Sequence, residues 1–268
     1  MARVLWLMVL VVGAVPTCVA GEPKPKPLAA GLDRLVAMAV GPDGRIYVAA
    51  NDANGKNAIL VLQQNKAVPF AAGFDFARSM AWHQKWLFVL DNRRIWKVDL
   101  KGNAEVLATD IPVPKAGRVL GRITADPESG SLYVTDFDEK TGQIYRIDAK
   151  GKVTLITPPG TDRADVVMLD GASHLLVAEY SELVRKGPIG DIWAKLNRVR
   201  IADGTREKVA ELSGMITSMA WDSYGRLFIS AGDKLLTIPR PGMAPMPVLD
   251  KLKDPNAICL GPTRKSIL

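Results

Sequence analysis

The chain has 268 residues, with 35 Lys and Arg against 28 Asp and Glu, a formal net charge of +7 and 48% hydrophobic residues. That apolar content is ample for a large core and too high for a disordered chain. The positive charge is scattered: its densest groups, Arg93-Arg94 and Lys24-Pro-Lys26, have no aromatic ladder beside them, which excludes a nucleic-acid surface built on a basic stripe.

The N-terminus reads differently from the rest. Arg3 gives a positive start, Leu5 to Val15 is an almost unbroken apolar run, and Cys18-Val-Ala20 places small residues before Gly21. This is the pattern of a secretory signal peptide cut after Ala20. The run of about 11 residues falls short of the ~20 that span a bilayer, which weighs against an uncleaved anchor. Acylation of Cys18 is the other alternative, and Pro16-Thr17 suits it poorly. Residues 21–27 form a Pro/Lys tether with no capacity to pack, and 28–268 read as one domain. The expected location is secreted or periplasmic, with no stable membrane insertion after cleavage. Loss of Cys18 leaves Cys259 alone, so packing and strand pairing must hold the fold without an internal disulfide.

From Leu28 onward one phrase recurs six times: apolar run, turn, apolar run, polar loop, apolar run. Val36 to Val48 and Ile216 to Ile229 are the clearest copies, followed by Ile123 to Val134 and Val166 to Val177. Weaker copies run from Ser79 to Val89 and from Asn256 to Leu268. The turn markers Gly44, Gln84, Gly130, Gly171, Gly225 and Pro262 stand about 37 to 54 residues apart. A period of that length built from short strands marks a β-propeller with one four-stranded blade per repeat. The expected fold is all-β, a six-bladed propeller. Its last blade would take strands from the C-terminus and one, Leu28 to Leu32, from the N-terminus. That blade lacks a strand, so either it has three or the natural chain continues beyond Leu268. An unpaired edge of this kind invites aggregation.

The phrases Pro255-Asn-Ala-Ile258, Gly41-Pro-Asp-Gly-Arg-Ile-Tyr-Val48 and Gly142-Gln-Ile-Tyr-Arg-Ile-Asp148 resemble the senescence-marker-protein/gluconolactonase/luciferin-regenerating family of six-bladed propellers. NHL-repeat and strictosidine-synthase-like propellers share the pattern. The resemblance spans Leu28 to Leu268, and its motifs speak for fold more than activity. It implies a lactonase with one divalent cation, calcium or zinc, held in the central channel by Glu, Asn and Asp. Reading the position of the Asn in Pro255-Asn256-Ala-Ile around the ring gives Val36, Arg78, Gly121, Ala164, Thr217 and Asn256. Asn256 is the one candidate metal ligand, with Thr217 a weak second. A hard cation wants several oxygen ligands, and Arg78 would repel it. Asp165, one residue past its slot, is the candidate catalytic carboxylate if a small backbone shift turns it inward.

Other polar residues fall near one mouth of the channel. Asp136 and Asp138 follow the second strand of the third repeat, Asp91 and Asn92 that of the second, and Glu179-Tyr180 that of the fourth. With Asn51 and Asp52 they could form a polar ring, though Asp and Asn also favour hairpin loops for their own sake. Trp193 closes an insertion, Ser181 to Ala194, placed where a lid or partner contact would form. His83 and His174 fall in turns of different repeats, and no serine sits in a nucleophile elbow. The expected function is a ligand-binding or interaction propeller lacking the family's metal-ligand set, with a divalent cation, calcium or zinc, as the one candidate cofactor. Its candidate binding residues are Arg78, Asp136, Asp138, Glu179, Thr217 and Trp193, and its partner is a small molecule or protein at the channel mouth. A divergent metal-dependent lactone or ester hydrolase is the alternative.

Overall fold

A computed structural model describes residues 5–9, 26–92, 94–109, 111–112, 120–136, 142–157, 163–180, 192–253 and 255–261. They build five antiparallel sheets, each with its strands in chain order. The first contains β1 (Leu5–Val9), β2 (Lys26–Val40), β3 (Ile46–Asn51), β4 (Asn57–Gln63) and β5 (Lys66–Ala71). The second holds β6 (Ala77–His83), β7 (Trp86–Asp91), β8 (Arg94–Val98) and β9 (Ala104–Ala108). The third holds β10 (Leu120–Ala125), β11 (Leu132–Asp136), β12 (Ile144–Ile147) and β13 (Val153–Leu155). The fourth holds β14 (Arg163–Asp170), β15 (His174–Tyr180), β16 (Trp193–Arg200) and β17 (Arg206–Ser213). The fifth holds β18 (Ile216–Trp221), β19 (Leu227–Ala231), β20 (Lys234–Ile238) and β21 (Met246–Leu249). Among the described residues no helix is long and apolar enough to cross a membrane.

Burial within a blade grades from the second strand outward. Strands β3, β11 and β19 are buried on both faces, because neighbouring blades cover both sides of them. Their sequences, such as Ile46-Tyr-Val-Ala-Ala and Leu227-Phe-Ile-Ser-Ala, are accordingly continuous apolar runs with β-branched and aromatic residues. The outermost strands β9 and β13 are mostly exposed. The core is therefore distributed between blades. Tyr47, Phe74 and Met80 join the first two blades, Tyr145 and Leu90 the second and third, and Leu196 and Ile229 the fourth and fifth.

One turn module recurs four times and gives a structural role to four of the 28 acidic residues. In Asp52-Ala-Asn-Gly-Lys56, Asp99-Leu-Lys-Gly-Asn103, Asp148-Ala-Lys-Gly-Lys152 and Asp222-Ser-Tyr-Gly-Arg226, the leading carboxylate accepts the amide N–H groups two and four residues on. Those bonds measure 2.8–2.9 Å. The glycine takes φ between 74° and 89°, a conformation that costs a residue with a Cβ. Asp52 is thus a hairpin cap and does not join a ring around the pore.

The described residues build five blades, and the six-bladed expectation is overturned. Leu28 to Leu32, expected to donate a strand to a closing blade, belongs to β2, and the N-terminal part of that strand pairs with β1. Residues 255–261 form no sheet: Leu260 makes a single bridge. A blade needs a ladder of backbone partners along several strands, and this segment has none among the described residues. It serves instead as a wedge between the fifth and first blades. Ala257 and Cys259 pack on the first blade, and Ile258 and Leu260 on the fifth, the alternation of an extended chain. Burial pushes the Cys259 thiol up to about 12, so it stays protonated and serves as a small apolar residue.

Candidate functional site

The inner strands β2, β6, β10, β14 and β18, together with Asn256 to Ile258, surround a central channel of about 160 Å³. Near its N-terminal end each inner strand breaks register with the second strand of its blade. Arg78 is inserted between the pairs Ala77–Asp91 and Ser79–Leu90. Gly121 and Arg122 face Thr135 alone, Asp165 and Val166 face Ala178, and Thr217 has no opposite number. These are β-bulges, which add a residue and re-aim a side chain. The recurring bulge gathers Arg78, Arg122, Asp165 and Thr217 at the same level of four successive blades.

Arg122 is the hub. Its Nη1 donates to the Arg78 carbonyl at 2.6 Å and to the Val36 carbonyl at 3.3 Å, and its Nη2 donates to the Thr217 carbonyl at 3.3 Å. One guanidinium on the third blade thereby ties the first, second and fifth. Thr135 secures the bulge that carries it, accepting the Arg122 N–H at 2.9 Å and donating to the Asp165 carbonyl. Gly121 permits this approach: a Cβ there would come within 2.7 Å of the Asp165 carbonyl oxygen.

Asp165 is 6% exposed. Burial raises its pKa above the usual carboxylate value, while Arg122, Arg78 and Arg163 pull it down. The two arginines Arg78 and Arg122 respond in the opposite sense: burial lowers both and Asp165 raises both, with Arg122 and Arg163 adding to the lowering at Arg78. Guanidinium remains charged through such shifts. Among the described residues the hub therefore sets Arg78 and Arg122, with Arg163 acting from nearby, beside the carboxylate of Asp165.

The remaining expected residues divide sharply. Thr217 sits at the hub, its hydroxyl donating to the Pro255 carbonyl at 2.6 Å. Asn256 lies at the same level, its amide donating to the Leu35 carbonyl at 3.3 Å, so it stitches the wedge to the first blade. Glu179 is buried but turned away into its own blade, accepting from Asn197 at 2.6 Å and Arg206 at 2.9 Å. Asp91 accepts the amides of Asp75 and Phe76 and the Trp96 indole, holding the loop that enters the second blade. Asp136 is buried at the matching place in the third blade, where its charge acts on Tyr145. Asn51 donates to Asp33 at 2.8 Å. Tyr180 exchanges hydrogen bonds with the backbone of Ile216, both at 2.8 Å. The polar ring expected from these residues is thus a set of loop and blade fasteners. Trp193 begins β16 and is 50% exposed, while Asp138 and residues 181–191 of the insertion lie outside the described residues.

Arg122 is the functional candidate that sequence reasoning missed. The slot selects Gly121, and the shift of one residue that brings in Asp165 brings in Arg122 as well. Among the described residues the hub does not fit a divalent cation, since the guanidinium groups of Arg78 and Arg122 repel it and the carboxylate of Asp165 cannot by itself offset its charge. Among the described residues no cluster of three His, Cys, Asp or Glu side chains is arranged to hold a metal.

No protein-family model matches the chain, and no curated protein matches it in sequence. Solved structures do. The PQQ-bound aldose sugar dehydrogenase of Streptomyces coelicolor is similar with a TM-score of 0.66 at 16% identity, covering 87% of each chain. A candidate gluconolactonase gives 0.63 at 14%, covering 88% of this chain and 84% of its own. An auxiliary nutrient binding protein from Bacteroides thetaiotaomicron gives 0.60 at 9%, covering 99% and 76%. At such identities the likeness is one of fold: the chain shares the β-propeller architecture of gluconolactonase-like, sugar-dehydrogenase and nutrient-binding structures.

Proposed function

We propose that this protein is an exported binding propeller whose channel hub takes a small oxyanion, a carboxylate or phosphate such as a sugar acid would carry. The observation that supports this most is the charge at the hub, where the buried guanidinium groups of Arg78 and Arg122 lie close enough to Asp165 to act on its carboxyl. Arginine is the side chain best suited to such ligands, because its planar fork matches their oxygen geometry. Sugars enter as a class because the similar propellers include a sugar dehydrogenase and a candidate gluconolactonase. Export rests on the N-terminal pattern of residues 3–20.

The test is thermal unfolding of the chelator-treated protein with gluconate, inorganic phosphate, calcium or zinc. An anion at about 100 times its Kd should stabilise the fold by about 2.7 kcal/mol, a readily seen rise in Tm. Arg78→Met should remove that rise. A rise with calcium or zinc that Asn256→Ala abolishes, and none with anions, would instead favour the metal-dependent lactone or ester hydrolase.

A further inference from the structure

Among the described residues Arg122 is the one charged side chain on the lining of the channel. Its guanidinium reaches across from the third blade, and all of its hydrogen bonds go to the backbone carbonyls of Val36, Arg78 and Thr217. Guanidinium carries five N–H groups. Nη1 uses both of its hydrogens and Nη2 one, so the Nε–H and the second Nη2–H have no acceptor among the described residues. Asp165 acts on the charge of Arg122 without a hydrogen bond to it. A largely buried cation bonded only to neutral carbonyls favours an anion at its open edge. Two donors are what one carboxylate takes in a bidentate pair.

The channel limits the size of that anion. Its volume of about 160 Å³ is close to the ~150 Å³ of a cavity that holds one benzene molecule. Lactate is of this size. Gluconate is about twice as large and would leave most of its chain outside. A second polar group on the lining is the Thr124 hydroxyl, which makes no hydrogen bond among the described residues and is not shut away from solvent. Thr124 stands two residues along β10 from Arg122, with Cα atoms about 7 Å apart, within the span of one small ligand. The other hydroxyls differ: Thr217 and Ser218 donate to the carbonyls of Pro255 and Ile258.

We propose that the ligand of this channel is a short 2-hydroxy acid of lactate's size, with its carboxylate on the open edge of Arg122 and its hydroxyl on Thr124. This rests on the oxyanion reading above and narrows it: the channel recognises the 2-hydroxycarboxylate unit, and the remainder of a sugar acid adds nothing to affinity.

Isothermal titration calorimetry of the chelator-treated protein with lactate of either hand, propionate, gluconate and inorganic phosphate tests this. Lactate should bind saturably at one site per chain, with gluconate no tighter. Propionate keeps the carboxylate but lacks the hydroxyl, and should bind ~3- to 10-fold more weakly. Thr124→Val should bring lactate down to the level of propionate and leave propionate unchanged. Arg122→Lys, which keeps the charge but not the fork, should abolish binding of both; the Thr124→Val comparison stands even if that variant does not fold. Gluconate bound more than ~10-fold tighter than lactate, propionate equal to lactate, binding of phosphate alone, or lactate affinity unchanged in Thr124→Val would each overturn this proposal and leave the oxyanion reading in place. Binding of none of the four anions would overturn both.

Discussion

Asp165 shows how a single residue can report on the hub. Burial is the largest influence on its carboxyl and raises the pKa above the ordinary value of about 3.9; its three arginine neighbours only moderate the shift. A carboxyl with a raised folded-state pKa contributes stability that is complete below the unfolded pKa and is lost as pH rises through the folded one. Stability of the native protein should therefore fall, through this group, as pH climbs from about 4 toward neutrality. Asp165→Asn removes the titration, so urea midpoints of the two proteins should diverge with rising pH in favour of the variant. Parallel curves would mean that the arginines cancel the burial cost. Arg122 teaches a complementary lesson about legibility. Its charge was visible in the sequence, but its place at the hub depends on a bulge, and strand alternation counted from the turns carries no sign of an extra residue. Thr135 and Gly121 make that bulge possible, and neither residue type signals it alone.

At the level of the strand and turn, the sequence was more informative. The Asp-x-x-Gly-x turns fix hairpins through bonds made within five residues, so local sequence is enough to specify them. Strands such as Leu132-Tyr-Val-Thr-Asp136 are continuous apolar runs because blades cover both faces, which is also readable. The joints between blades are not, since they pair residues far apart in the chain. Tyr180 is an example: its hydroxyl receives the Ile216 N–H and donates to the Ile216 carbonyl, pinning the fourth blade to the fifth. Tyr180, expected in a polar ring around the pore, is a fastener between blades. Tyr180→Phe leaves a buried donor and acceptor without partners, at a cost of about 1–3 kcal/mol. A denaturant midpoint lowered to match, with the slope unchanged, is the expected result. An unaltered midpoint would mean that water replaces the hydroxyl.

Across the whole molecule, the count of blades was the feature the repeats misjudged. The last repeat has the apolar spacing of an inner strand, and residues 255–261 do lie where one would, yet spacing cannot supply the backbone partners that make a blade. What the segment supplies is closure. Thr217 and Ser218 donate from the fifth blade to the carbonyls of Pro255 and Ile258, and Asn256 donates to Leu35 of the first. Its side chains face the two blades alternately. Ring closure of this kind holds the first and fifth blades by contacts on one short segment, whereas other neighbours share broad apolar faces. The double substitution Ile258→Asp, Leu260→Asp sets two charges against the apolar face of the fifth blade, where burial without a partner is unfavourable. The expected consequence is local: amides of β18 and β2 should exchange with deuterium faster, while those of β10 and β11 on the far side keep their protection. Uniform loss of protection around the ring would show that the five blades open as one unit. No change at β18 and β2 would show that the wedge is dispensable and that blades one and five hold each other directly.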